Sequence, residues 1–191
     1  MKYLIAILFL FSTTSCVETL LLGAATGGIL ASQNKSFGDT GNDILISSKI
    51  DKAFIANGLK NPNNKIGVTV DEQRVLLTGV VDDPKIAKKA VDLAWETKNV
   101  KEVIDEIQII RKKSGAKTFV NYFKDSSITS QINSKALLNE NVSSIDFDVV
   151  TVNQIVYLIG SAKTRSEINQ IIDIAATTAG VRKVINHIVL I

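Results

Sequence analysis

The chain repeats itself, and the repeat limits what it can fold into more than any single motif does. VLLTG at Val75–Gly79 returns as VYLIG at Val156–Gly160, an offset of 81. VKEVIDEI at Val100–Ile107 returns as VRKVINHI at Val181–Ile188 with the same offset. Further upstream, ISSKIDKAF from Ile46 answers ITSQINSKAL from Ile128 at an offset of 82. Three blocks in one order describe a duplication of about 65 residues per copy. A unit of that size buries a limited core on its own, so the two copies are expected to dock on each other.

Each copy reads as helix, strand, strand, helix, strand. In the first, Asp43 is placed to cap a helix whose apolar positions Ile46, Ile50 and Phe54 recur every fourth residue, with Gly58 near its end. Ile66, Val68 and Val70 alternate as a half-buried strand does, the polar DEQR at Asp71–Arg74 turns the chain, and Val75, Leu77 and Gly79 return it. Asp83 and Pro84 fit the N-cap and the first helical position of a second helix. Ile86, Ala87, Ala90, Val91, Ala94 and Trp95 give that helix one apolar face, with Trp95 expected in the core. Val103 to Ile110 is the last strand. In the second copy Thr164 and Glu167 fit a capping box, Ile168, Ile171, Ile172 and Ala175 form the stripe, Gly180 fits C′, and Val184–Ile191 is the last strand. Asp146 and Asp148 are expected on the outward face of a strand. The fold class is α+β: two tandem αββαβ modules, each a small three-stranded sheet packed against two helices.

The chain's start is of a different kind. Lys2, the apolar run Tyr3–Phe11 and the small residues Ser12–Ser15 match the three regions of a secretory signal peptide, residues 1–15, and the run is too short to span a bilayer. Cys16 is the one cysteine in 191 residues, so it closes no intramolecular disulfide. STTSC resembles a bacterial lipobox, with Thr13 where Leu is usual. That resemblance implies a diacylglycerol and an N-acyl chain on Cys16, and Val17 in place of Asp implies the outer membrane, periplasmic face. The other reading is an inert buried thiol. Residues 16–42 form the tether. Its apolar, glycine-containing part, Val17–Ala31, suits an interfacial segment, a self-packing one or a flexible spacer.

The modules are then 43–110 and 126–191, with a junction at 111–125. Charge singles out the junction. Ile46–Ile110 carries ten basic and ten acidic residues and Ile128–Ile191 five of each, whereas Arg111, Lys112, Lys113, Lys117 and Lys124 face Asp125 alone. Phe119, Tyr122 and Phe123 lie among those bases. Bases are attracted to anionic membrane surfaces and aromatic rings settle at the interface. A solvated linker with rings tucked into the module seam is the competing reading. A whole-chain charge of +3 with few aromatics argues against nucleic acid as partner.

The ordered combination of a hairpin ending in hydrophobic–Gly, an Ala-rich helix and GVxxVxNxI resembles the BON domain, a bacterial periplasmic module. Its residues here are Gly79, Val100, Val103 and Ile107, then Gly160, Gly180, Val181, Val184, Asn186 and Ile188; the first copy has Asn99 and Asp105 where the second has Gly180 and Asn186. The resemblance covers essentially the whole chain and implies a non-enzymatic, cofactor-free lipoprotein that binds anionic phospholipid and supports envelope integrity. An adaptor for an envelope protein, with lipid contact incidental, is the alternative; oligomeric state is open. The resemblance also implies lipid contact on the first helix of the second module, near whose start an aromatic residue is typical. Ser127 holds that position here, with Tyr122 and Phe123 just upstream. The lipid-contact candidates are therefore Lys112, Lys113, Lys117, Tyr122, Phe123, Lys124 and Ser127. Catalysis gains little: His187 sits on a strand without an evident triad, Gly23–Gly28 lacks the strand and Lys of a phosphate loop, and one Cys and one His make a poor metal site.

Overall fold

The computed structural model describes residues 37–61, 64–110, 117–140, 142 and 146–191. The first module runs α1 (Phe37–Ala56), β1 (Lys65–Asp71), β2 (Arg74–Val81), α2 (Pro84–Trp95) and β3 (Glu102–Ile109). The second repeats it as α3 (Lys117–Leu137), β4 (Asp146–Val152), β5 (Ile155–Ala162), α4 (Arg165–Ala176) and β6 (Lys183–Leu190). Each sheet has its hairpin return in the middle, in the orders β1-β2-β3 and β4-β5-β6. The hairpin pairs antiparallel, and the crossover through α2 or α4 brings the last strand back parallel.

Local chemistry accounts for the element ends. Gly58, at φ 69°, closes α1: its N–H donates to Ile55 O and that of Leu59 to Phe54 O (2.8 Å), the paired bonds of a Schellman stop. Leu59 and Phe54 are both buried there. Asp83 caps α2 by accepting from Lys85 N at 2.8 Å, with Pro84 at the first turn. Thr164 and Glu167 exchange both bonds of a capping box at α4. Gly79, at φ 126°, lies opposite Ile66 where an added Cβ would stand 1.8 Å from Lys65 O, so only glycine lets the strands approach.

Strand parity sorts the core into three. Val75, Leu77 and Val81 of β2 face α1 and α2, packing with Ile46, Ile50, Phe54, Ala87, Ala90 and Ala94. In the second module Val156 and Leu158 of β5 pack with Ile128, Ile132, Ile171 and Ala175. The alternate positions face the other sheet: Leu76, Tyr157 and Ile159 are buried together, with Ile104, Val150, Val152, Ile155 and Ile185 around them. The molecule is thus a four-layer sandwich, helices–sheet–sheet–helices. Both central strands are apolar on both faces, which is why they read as nearly continuous hydrophobic runs.

Four sequence expectations change. Asp43 is no cap, because α1 begins six residues earlier at Phe37 and Asp43 is buried inside it. Gly180 is not the C′ of α4: Thr177 is the C-cap, and Gly180 (φ 90°) shapes the turn beyond, as Asn99 (φ 75°) does in the first module. Trp95 is 52% exposed, because Ala87, Ala90 and Ala94 fill the contact of α2 with its sheet and leave the last turn of the helix outside. Asp146 is buried, not outward, because by parity the face it shares with Val150 and Val152 is the one covered by the other sheet.

Candidate functional site

The structure places Lys117, Tyr122, Phe123 and Lys124, read from the sequence as junction residues, on the same helix as Ser127. Cys16, the signal and tether, and Lys112 and Lys113 lie outside the described residues. Lys117 opens α3 and Tyr122 lies in its second turn. Phe123, Lys124 and Ser127 are exposed on the same helix. Phe123 stands one turn before Ser127, so the two share a side and Lys124 is next to them. Phe123 is 73% exposed, which removes the expectation that this ring is tucked into the seam. The residue expected to be aromatic is the one that serves the helix: Ser127 O and Oγ accept from the Gln131 amide at 3.3 and 3.2 Å.

Between them Asp125 points the other way and fixes the helix to its sheet. Its two carboxylate oxygens accept the backbone N–H groups of Asn153 (2.8 Å) and Gln154 (2.7 Å). Both turn residues have positive φ, 51° and 64°, which aims successive N–H groups at one point and forms an anion-holding nest. Burial pushes the Asp125 carboxyl above the usual range, against the pull of these two hydrogen bonds. The first module has the same device: Asp43 accepts from Glu72 N and Gln73 N, both at 2.9 Å, with φ 49° and 68° in the turn. In the sequence the two Asp residues read as a cap and a lone junction acid. Their shared offset of 82, the same as the block around Ile46 and Ile128, was the signal that could have paired them.

The seam carries most of the chemistry between modules. Gln108 at the end of β3 donates to Val152 O (3.2 Å) and the Tyr157 hydroxyl (3.1 Å), and accepts from Asn153 Nδ2 (2.8 Å). Arg74 at the start of β2 reaches His187 O (2.9 Å) while its Nε holds Glu102 at 2.7 Å. The end of one sheet therefore meets the start of the other, and the modules lie head to tail. Glu106 and His187, matched positions of the repeat at offset 81, meet each other at 3.0 Å. A local two-fold relation passes between them, so the single His, expected as a structural or exposed strand residue, joins the copies. Burial pushes the Tyr157 phenol up, opposed by the Gln108 bond and aided by the Glu106 carboxylate.

These groups join one module to the other, with His187 Nε2 against Glu106 at the seam. Among the described residues no three His, Cys, Asp or Glu residues are grouped to hold a metal ion. Nor is any helix there long and apolar enough to cross a membrane.

Comparison with known proteins agrees with the duplication. The family model of the BON domain matches residues 42–111 and again 124–191. The "Uncharacterized protein in gshII 5'region" of Anaplasma centrale is 35% identical over 147 residues, 77% of this chain and 93% of that protein. Outer membrane lipoprotein DolP of Haemophilus influenzae is 29% identical over 89% of this chain and 86% of its own. Osmotically-inducible protein Y of Escherichia coli is 28% identical over 83% of this chain and 77% of its own.

Proposed function

The chain belongs to the BON domain family, and from that premise we propose that it is an envelope-associated lipoprotein of the outer membrane, anchored through acylated Cys16, that binds anionic phospholipid and supports envelope integrity. The observation that carries this reading is the reach of the similarity to an outer membrane lipoprotein, which spans 89% of the chain and so takes in both modules. Residues 1–15 are the export signal in this reading, and residues 16–42 the tether on the periplasmic face. The protein acts by binding, not by turnover.

Support for the lipid comes from α3. Phe123 and Lys124 present a ring and a base on one exposed side of a helix that Asp125 holds rigidly against its sheet. A base near an anionic surface contributes about 1 kcal/mol, and an aromatic ring is at home at headgroup level. Two measurements test the reading. Cell fractionation should place the wild-type chain in the outer membrane, and Cys16→Ser should release it to the soluble periplasmic fraction. Neutralising Lys112, Lys113, Lys117 and Lys124 together to Gln should weaken binding to phosphatidylglycerol vesicles at least tenfold. A wild-type chain that ignores such vesicles would sink the phospholipid assignment.

A further inference from the structure

We propose that the outer helical layer of the first module, α1 with α2, is a docking surface for an acidic protein, on the side of the molecule that the membrane leaves free. This is a function beyond lipid binding; its orientation rests on the α3 reading above. The duplication supplies the comparison, because the two helical layers share one fold and differ in side chains. Opposite its buried stripe Ile46, Ile50 and Phe54, α1 exposes Lys49 and Lys52. Opposite Ala87, Ala90 and Ala94, α2 exposes Lys85, Lys88 and Lys89. At the matched positions, offset 82 for α1 and 81 for α2, the second module has Gln131 and Ser134, then Ser166, Asn169 and Gln170. The same fold is built with neutral residues, so the five lysines are not there to hold it. Acids do not cancel them. Asp51 and Asp92 are held by Lys60 (2.7 Å) and Lys88 (2.6 Å), and Asp83 and Glu96 stand at the two ends of α2. Among the described residues no carboxylate pairs with Lys49, Lys52, Lys85 or Lys89. On α3 and α4, by contrast, Lys124, Lys135 and Arg165 are balanced by Asp125, Glu167 and Asp173.

The lysines stand together. α1 and α2 lie side by side over one face of the first sheet. Asn42 of α1 meets Asn99, just past the end of α2, at 3.5 Å, so the two helices run antiparallel. Lys49 and Lys52 follow Asn42 by about two and three turns, and Lys89 and Lys85 precede Asn99 by a similar rise, which sets the four in mid-layer. Ile44 and Leu45, 61% and 58% exposed, border α1's lysines where the second module has Ser126 and Ser127. Lysines that steer an acidic surface, bordered by apolar side chains that it can bury, describe a protein interface. Position separates this layer from the anchoring bilayer. Each helical layer covers the sheet face turned away from the seam, so α1 and α2 lie on the opposite outside from α3. A flat membrane against Phe123 and Lys124 leaves the lysine layer facing away from it. The tether permits this: the 21 residues from Cys16 to Phe37 span at most about 70 Å, against roughly 30 Å between outer layers that stack at about 10 Å each. A nucleic acid fits poorly. α1 and α2 hold no Arg to grip phosphate with a paired fork, and among the described side chains Trp95 is their one exposed ring.

The test uses the full chain carrying Cys16→Ser, so that no acyl chain contributes, with fluorescently labelled poly-L-glutamate as the acidic probe and phosphatidylglycerol vesicles as the membrane. Lys49→Gln, Lys52→Gln, Lys85→Gln and Lys89→Gln together should weaken polyglutamate binding at least tenfold. The same variant should keep its melting temperature and change its vesicle affinity less than twofold. Lys98→Gln, Lys101→Gln, Lys163→Gln and Lys183→Gln, exposed but on neither helical layer, are the matched control and should change polyglutamate affinity less than twofold. Labelled polyglutamate should sediment with the vesicles only when the chain is present, because the two faces are filled at once. Equal loss in the control would show general attraction to a basic chain and sink the proposal. Tenfold loss of vesicle binding in the first variant, or a vesicle-bound chain that takes up no polyglutamate, would make this layer a membrane contact and refute the protein partner. A parent chain that binds polyglutamate through these lysines but ignores vesicles overturns the phospholipid assignment and leaves the lysine layer standing.

Discussion

Two aspartates do at single positions what glycine usually does in a tight turn. Glu72, Gln73, Asn153 and Gln154 all adopt the left-handed conformation, which costs a residue with a Cβ roughly 1–2 kcal/mol. Asp43 and Asp125 offset this by accepting both N–H groups of their turn. Hydrogen bonds to a charged group are worth about 1.5–3 kcal/mol each, and an unsatisfied pair at a part-buried turn costs more than the mean. Asp125→Ala is therefore expected to destabilise the protein by about 2–4 kcal/mol, read from urea unfolding at neutral pH. Asp43→Ala should cost a similar amount. Adding Gln154→Gly to the Asp125→Ala variant should restore part of the loss, because glycine takes the left-handed turn freely. Loss below about 1 kcal/mol in both aspartate variants would show that the turns hold without the nests.

At the scale of elements, matched parts solve the same problem with different residues. α2 starts on Asp83 with Pro84 behind it, and α4 starts on a Thr164–Glu167 box. Thr164→Ala should cost about 1 kcal/mol in chemical denaturation, and Thr164→Asp should cost little, since either oxygen satisfies the same orphan N–H. A large effect of Thr164→Asp would mean that the hydroxyl does something besides capping. The first helices differ more. α1 ends on a glycine stop, whereas α3 ends on exposed Leu137 and Leu138 and begins two turns ahead of Asp125. That early start converts the expected junction into the helix face that carries Phe123 and Lys124. No Pro or Gly interrupts Lys117–Leu137, so nothing in the sequence stops the helix from growing back toward the linker.

At the scale of the molecule, the seam joins the copies by groups that titrate. Tyr157 is buried between the sheets with its hydroxyl against Gln108, and its phenol titrates above its usual range, about 10. A folded value raised above the unfolded one means that its stabilising contribution is complete below about pH 10 and is lost as pH rises through the raised value. Thermal melts of wild type and Tyr157→Phe between about pH 8 and 12 should therefore converge or cross at the alkaline end, the wild type losing more stability than the variant. Parallel curves would show that the phenol ionises without cost to the fold.

Much of this architecture was legible in the sequence. The offsets of 81 and 82 fixed the number of modules, the spacing of Ile46, Ile50 and Phe54 fixed a helix face, and Asp83–Pro84 and Thr164–Glu167 fixed two helix starts, because each depends on neighbours within a turn or two. The candidate site was legible only as composition: bases and rings close together in sequence. Alternation in β3 and β6 shows that Ile104, Glu106 and Gln108 share a face, and likewise Ile185 and His187, but a half-polar face suits water and a partner sheet equally well. Only the tertiary structure decided between them. It laid the sheets head to tail and set Glu106 against His187, because contacts that far apart in sequence depend on how two surfaces fit and not on any local period.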